Sequence, residues 1–175
     1  AHNGVLSNHD KLQRDELLPN PLGIDTDSYV ITQLIDQNIG TFNAQKLSTE
    51  LEKIGGSFNF TFLTGDRLTL VKHNNPLGIV RVSNGMLMYS SETQVLLDVI
   101  FKMEGVKTNT ELLYKAMSGD LEHAYHFDTI ESGDIWSYDF DGNKDMHKFT
   151  PKVVAYTPTW DSFKPTSYTR SYGYY

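Results

Sequence analysis

Two short groups of polar residues near the start of the chain have side chains suited to chemistry on an amide. Residues 2–4 read His-Asn-Gly, which places a side-chain amide next to the unhindered backbone N–H of a glycine. Two such donors that converge on one point can hold a developing oxyanion. The stretch Asp25-Thr26-Asp27-Ser28 follows, and its carboxylates can bind the ammonium group of an amino acid. Together the two groups predict a site for an amino-acid substrate whose reaction passes through an oxyanion.

Each group also has an ordinary structural interpretation. Asn-Gly is common in turns, and Asp-Thr-Asp-Ser in front of an apolar helical stripe is typical of a helix N-cap. The sequence leaves both interpretations open. Asp27 can do both jobs, because one carboxylate oxygen can cap a helix while the other faces a substrate.

These groups need helices and strands to position them, and the apolar spacing predicts both. Helical spacing predicts helices within residues 5–18, from residue 27 or 28 to Gly40, and over 44–54, 92–103 and 110–117. Strict alternation and turn residues predict strands at 57–62, 68–73, 78–82, 86–91, 123–131 and 134–139. The order predicts an α+β layered fold with a four-strand meander and a closing hairpin.

Length and composition favour one domain, because 175 residues with 39% hydrophobic content can bury a core. We expect this domain to cover residues 1–149. Residues 150–175 form an aromatic-rich C-terminal tail, which either packs against a protein surface or is an unstructured terminus.

Charge and residue usage exclude several classes of function. The net charge is −7 and no basic run occurs, which argues against a nucleic-acid partner. No apolar stretch approaches the about 18 residues of a membrane span, so no membrane partner is expected. The chain contains no cysteine, which excludes a thiolate nucleophile or thiolate zinc site within these residues. We expect no cofactor, and a cytoplasmic location, or a virion if the chain is of phage origin.

A metal site is not expected either. Oxygen-bearing side chains alternate over residues 139–145, loosely like a calcium loop, but Lys144 and Thr150 stand where such a loop has glycine and glutamate. A hairpin turn is the preferred interpretation of Asp141-Gly142.

The order of several segments resembles the class II glutamine amidotransferases, which are N-terminal-nucleophile hydrolases. The matching segments, which lie within roughly residues 2–142, are His2-Asn3-Gly4, Thr26-Asp27-Ser28-Tyr29-Val30, 71–77, 89–92 and 130–135. The resemblance implies a partial αββα sandwich with antiparallel sheets. It also implies hydrolysis of glutamine to glutamate and ammonia through a thioester.

The resemblance implies roles for particular residues. The side-chain amide of Asn3 and the backbone N–H of Gly4 would form the oxyanion hole and are the catalytic candidates. Asp27 would bind the α-amino group of glutamine, with His2 as a second substrate-binding candidate. Tyr29 stands where the family usually has glutamate.

Two parts of the family's site have no counterpart in these residues, namely the N-terminal cysteine nucleophile and an arginine that binds the substrate carboxylate. The resemblance therefore implies the C-terminal portion of such a domain, inactive by itself. Glutamine is the expected ligand if the complete site exists. A protein partner, or an N-terminal segment that completes the sheet, is expected at an exposed strand edge.

A second hypothesis keeps the fold and drops the catalysis. The absence of cysteine also fits a non-catalytic structural or interaction subunit, for example in a phage virion, although the virion rests on analogy alone.

Overall fold

The structure is a computed structural model that describes residues 1–39 and 43–152. The strands of this part are β1 (His2–Leu6), β2 (Gly56–Thr64), β3 (Arg67–Lys72), β4 (Gly78–Val82), β5 (Leu87–Ser90), β6 (Tyr125–Asp128), β7 (Asp134–Asp139) and β8 (Lys144–Lys148). The helices are α1 (His9–Asp15), α2 (Asp27–Ile39), α3 (Ala44–Leu51), α4 (Thr93–Glu104) and α5 (Asn109–Ser118).

The strands form two antiparallel sheets. The first has the strand order β1-β2-β3-β7-β8, and the second has the order β5-β4-β6. The predicted four-strand meander is wrong, because the chain leaves the first sheet after β3 and enters the second at β4. Alternation of apolar residues identifies strands with one buried face, but it does not say to which sheet a strand belongs.

The sheets and helices stack in the order helix, sheet, sheet, helix. Neighbouring residues of a strand face opposite layers, so Val71 packs in the core beneath α2 and α3, while Leu70 packs between the two sheets. A third core places Leu96 and Ile100 of α4 against β4. The α+β class with antiparallel sheets is therefore confirmed.

Most predicted elements occur, with shifted ends. The first predicted helix is too long, since residues 5–6 belong to β1 and α1 covers only His9–Asp15. β8 was not predicted, because Lys-Asp-Met-His-Lys has no apolar alternation and all but its first residue are exposed. The predicted end of α2 at Gly40 and most of the aromatic tail, residues 153–175, lie outside the described residues.

The stretch that loosely resembled a calcium loop is a hairpin between β7 and β8. Asp139 accepts the backbone N–H of Asn143 at 2.8 Å and its side-chain N–H at 2.9 Å, so its carboxylate closes the turn. None of the helices in the described part of the chain is long and apolar enough to cross a membrane.

Candidate active site

β1 is an edge strand, and its register with β2 decides which backbone groups of residues 3 and 4 point away from the sheet and can bind a ligand. The amino group of Ala1 donates to the carbonyl of Thr61 at 2.5 Å, and the Thr61 N–H donates to the Ala1 carbonyl at 2.9 Å. In an antiparallel pair such hydrogen-bonded positions alternate with non-bonded ones. Gly4, opposite Phe58, falls at a non-bonded position. The alternation directs its N–H away from β2, toward the outer edge.

Leu6, two residues further along β1, demonstrates this orientation. Its backbone N–H points outward and donates to Oδ2 of Asp27 at 3.0 Å. Asp27 is the first residue of α2, so the helix delivers the carboxylate to the outer edge of β1. The edge that carries the Gly4 N–H is therefore the edge on which the predicted acid lies.

The Asp27 carboxylate is held by backbone donors on both of its oxygens. Oδ1 accepts the N–H of Ser28 at 2.7 Å, and Oδ2 accepts the N–H of Leu6. Burial alone raises the pKa of Asp27, but these hydrogen bonds and the nearby His2 ring outweigh burial and hold the pKa below its usual value. The group is an anion at neutral pH. Oδ1 also accepts the Ser28 hydroxyl at 3.4 Å, whereas Oδ2 keeps a further lone pair that can accept a hydrogen bond.

His2 lies beside this carboxylate as a neutral ring. Its Nδ1 is 2.8 Å from the Ser28 hydroxyl and 3.8 Å from Oδ1 of Asp27, and its ring centroid is 5.0 Å from that of Phe60. Burial lowers the pKa of His2 and outweighs the attraction of Asp27. Ser28, which binds both His2 and Asp27, was not predicted as a site residue.

Gly4 occupies a position that other residues do not fit. Its φ is +142°, and a Cβ added there would lie 1.9 Å from the Ser57 carbonyl oxygen and 2.6 Å from Nδ2 of Asn75. The glycine lets β1 approach β2 and the loop after β3 closely. The Asn-Gly pair therefore lies in an edge strand and is not the turn of the structural interpretation.

Asn3 lines a cavity of about 200 Å³ together with its neighbour His2 and with residues of both sheets such as Asn59, Leu77 and Tyr89. Asp27 does not line this cavity. The structure thus brings together Asp27, His2 and the edge of β1, and His2 adjoins both the Asp27 carboxylate and the cavity that Asn3 lines.

A larger cavity, of about 420 Å³, adjoins the same edge. His2 and Ser28 line it, and its apolar walls come from β2 and α2, including Phe60, Phe62 and Ile31. Asp27 itself does not line this cavity, which is bordered by its two neighbours His2 and Ser28 and has room for the body of a small molecule.

A network that was not predicted supports residues 3 and 4. Asn75 donates to the Asn3 carbonyl at 2.6 Å, and the Ser57 hydroxyl donates to Oδ1 of Asn75 at 2.5 Å. Asn59, which is 3% exposed, donates to the carbonyls of Asn75 and Pro76. The sequence carried no signal for this role, because alternation in Phe-Asn-Phe puts Asn59 on the strand face opposite to the two phenylalanines, and its burial there depends on the second sheet.

One group of potential metal ligands occurs among the described residues. His9, Asp10 and Asp25 place one ligand atom each within 4.8 Å of one another, and both aspartates are exposed. None of the three contacts Asn3 or Gly4, and exposed acidic groups of this kind are common without an ion.

Some known proteins resemble part of this chain in sequence. No family model matches the chain. Glutamine–fructose-6-phosphate aminotransferases of Shouchella clausii and Halalkalibacterium halodurans are 31% and 30% identical over 104 residues. The match covers 57% of this chain and 17% of each relative, so it concerns a small part of those proteins.

Solved structures resemble the chain over more of its length. Glutamine phosphoribosylpyrophosphate amidotransferase from B. subtilis, complexed with ADP and GMP, matches with a TM-score of 0.59 and 20% identity, over 87% of this chain and 29% of that one. A structure described as the allosteric regulatory enzyme of purine biosynthesis gives the same TM-score, identity and coverage of this chain, and 28% of its own. At this identity the likeness concerns the fold.

Proposed function

We propose that the chain forms part of a glutaminase site, because it resembles glutamine amidotransferases in sequence over part of its length and has the N-terminal-nucleophile hydrolase fold. In this proposal Asp27 binds the α-ammonium group of glutamine, with His2 beside it. The Gly4 N–H and the Asn3 amide stabilise the oxyanion. The observation that carries the proposal is the ionised Asp27 carboxylate against the β1 edge to which Gly4 belongs.

In this proposal the chain supplies the oxyanion donors, and a thiol from outside the 175 residues supplies the nucleophile. A thiolate attacks the side-chain carbonyl carbon of glutamine, and the carbonyl oxygen becomes an oxyanion as the carbon becomes tetrahedral. The proton that the thiol gave up passes to the amide nitrogen, so that collapse of the adduct breaks the C–N bond, expels ammonia and leaves a thioester. Water then hydrolyses the thioester to glutamate and returns the thiol. One donor to the oxyanion typically contributes about 3 to 4 kcal/mol of transition-state stabilisation.

The electrostatics of the edge suit a cationic group at Asp27. The carboxylate is anionic, and its neighbour His2 is neutral because burial lowers the pKa of its ring. No positive charge on His2 therefore competes with a substrate ammonium group. His2 instead fixes the position of Ser28, which in turn donates to the carboxylate through its backbone.

Asp27→Asn tests the ammonium anchor. The asparagine oxygen can still accept one of the two backbone N–H groups, that of Leu6 or that of Ser28, but the second acceptor and the charge are lost. A hydrogen bond to a charged group contributes about 1.5 to 3 kcal/mol, so we expect L-glutamine to bind roughly ten- to a hundredfold more weakly in calorimetric titration. Asp25→Asn is the matched control, since Asp25 is exposed and does not contact Leu6. Equal affinities of the Asp27→Asn and wild-type chains would refute the anchor.

The 175-residue polypeptide is expected to release no ammonia from L-glutamine, because it contains no thiol to attack the amide. The measurement is a glutamate-dehydrogenase-coupled ammonia assay on protein whose folding is verified by its amide NMR spectrum. Glutamine-dependent release above the buffer blank would show that another group acts as nucleophile, and would overturn the proposed division of labour.

The second candidate function is a non-catalytic subunit, which the absence of cysteine in these residues favours. In that case the edge of β1 serves to pair with a protein partner. The same titration separates the candidates, because a purely structural subunit has no reason to bind L-glutamine or to lose affinity in Asp27→Asn.

A further inference from the structure

The peptide unit between Asn3 and Gly4 has one end held by a distant side chain. Nδ2 of Asn75, in the loop between β3 and β4, donates to the Asn3 carbonyl at 2.6 Å. The described chain has no cis peptide bond, and in a planar trans peptide the N–H points opposite to the carbonyl. A group that fixes the Asn3 carbonyl therefore also fixes the direction of the Gly4 N–H.

Asn75 is itself held in place, so it can impose that direction. Its Oδ1 accepts the Ser57 hydroxyl at 2.5 Å, which orients the amide with its N–H toward Asn3. Its backbone carbonyl accepts Nδ2 of Asn59 at 2.7 Å and also the ammonium group of Lys72. The side chain and the backbone of Asn75 thus have separate partners.

Asn59 anchors the loop from within the sheet. Its Oδ1 accepts the N–H of His73 at 3.0 Å, and its Nδ2 also donates to the Pro76 carbonyl at 2.8 Å. The buried Asn59 amide thus binds the backbone of the loop on both sides of the Asn75 side chain, through its oxygen at His73 and through its NH2 group at Pro76. Asn59 therefore positions the loop, whereas the Asn75 side chain reaches across to the Asn3 carbonyl.

We propose that Asn75 is a positioning residue that aims and polarises the Gly4 N–H as an oxyanion donor. This role rests on the proposed glutaminase site. A donor on the carbonyl side of a peptide strengthens the N–H on the other side, because hydrogen bonds in a chain polarise one another. The close approach depends on Gly4, whose missing Cβ would lie 2.6 Å from Nδ2 of Asn75.

The test uses two probes that have equal net charge and differ in the side-chain amide to be bound. L-Glutamine carries this amide, whereas L-norvaline has the same α groups and carbon skeleton without it. Binding to the ¹⁵N-labelled chain is followed by NMR, with the Gly4 amide as reporter. In Asn75→Ala we expect the preference for L-glutamine over L-norvaline to fall about two- to tenfold, and the Gly4 resonance to move. L-Norvaline affinity should stay unchanged.

Three further variants sharpen the result. Asn75→Asp keeps the size and the acceptor for Ser57 but removes the donor, so it should lose the preference even if Asn75→Ala does not fold. Ser57→Ala should have a smaller effect, because the donor remains but is less firmly oriented. Asn84→Ala is the control, since Asn84 serves only the turn before Met86 and should leave both affinities unchanged.

The possible failures are distinguishable. If Asn75→Asp weakens both probes equally, or changes neither affinity and leaves the Gly4 resonance in place, the positioning role is refuted while the glutaminase site stands. If the wild-type chain binds neither probe, the proposed function fails, and the role of Asn75 fails with it.

Discussion

Replacing Gly4 with alanine is expected to destabilise the protein by about 3 kcal/mol or more, through overpacking and an unfavourable backbone conformation. The added Cβ would lie 1.9 Å from the Ser57 carbonyl oxygen, which is part of β2 and cannot rotate away, and the φ of +142° is one that alanine rarely adopts. β1 must therefore move away from β2. The free energy of unfolding in urea measures the effect.

Gly142→Ala separates the two causes. Gly142 also has a positive φ, +83°, but a Cβ there meets no atom within 4 Å. We expect this variant to lose only about 1 to 2 kcal/mol, the cost of the backbone conformation. Equal losses at the two positions would mean that the close approach of β1 and β2 does not constrain residue 4.

Glu104→Ala is expected to cost about 3 to 5 kcal/mol, because it removes a buried carboxylate that is the shared acceptor of three partly buried donors. Glu104 is 3% exposed and ends α4. Its carboxylate accepts the N–H groups of Glu122 and His123 and the Tyr125 hydroxyl, at 3.0, 3.2 and 2.8 Å. It thereby fixes the segment that leads into β6. Tyr125→Phe removes one of these bonds and should cost much less.

The same carboxylate makes stability depend on pH. Burial alone raises the pKa of Glu104, but the donors from Glu122, Tyr125 and His123 outweigh burial and hold it below the usual value. A lowered pKa in the folded state stabilises the protein above the pKa of the unfolded chain. This contribution is lost as the pH falls through the folded pKa.

Thermal unfolding from neutral pH into the acid range measures this contribution. We expect Glu104→Gln to be less stable than wild type at neutral pH, and the difference to shrink in acid. Glu92→Gln is the control, because the Glu92 side chain is exposed and makes no hydrogen bond to the N-terminus of α4. A wild-type and a Glu104→Gln profile that stay parallel into acid would contradict the assignment.

The sequence predicted individual elements better than their assembly. β4 and β7 have the predicted bounds, because both are short, apolar strands enclosed by turn residues. Membership of two different sheets depends on the loop at residues 73–77, whose path is set by hydrogen bonds to Asn59 and Lys72. Such contacts between distant residues leave no periodicity in the sequence.

In the candidate site, too, local features were predictable from the sequence, whereas contacts between distant residues were not. The N-terminal position of Asp27 on α2 was predictable, because a local cap pattern precedes an apolar stripe. The contact of Asp27 with Leu6 depends on how α2 packs beside β1, and the hydrogen bond from Asn75 to Asn3 joins residues 72 positions apart. Neither contact was predictable from the sequence. The substrate roles of Asn3, Gly4, Asp27 and His2 stay predictions until the titrations above are made.

The loop between β3 and β4 has a mechanical consequence. It is the crossing from one sheet to the other, and its Asn75 side chain also grips the peptide of residues 3 and 4. β4 begins directly after this loop, and α4 packs against β4. A displacement of the second sheet relative to the first would therefore shift Asn75 and change the direction of the Gly4 N–H at the outer edge of β1.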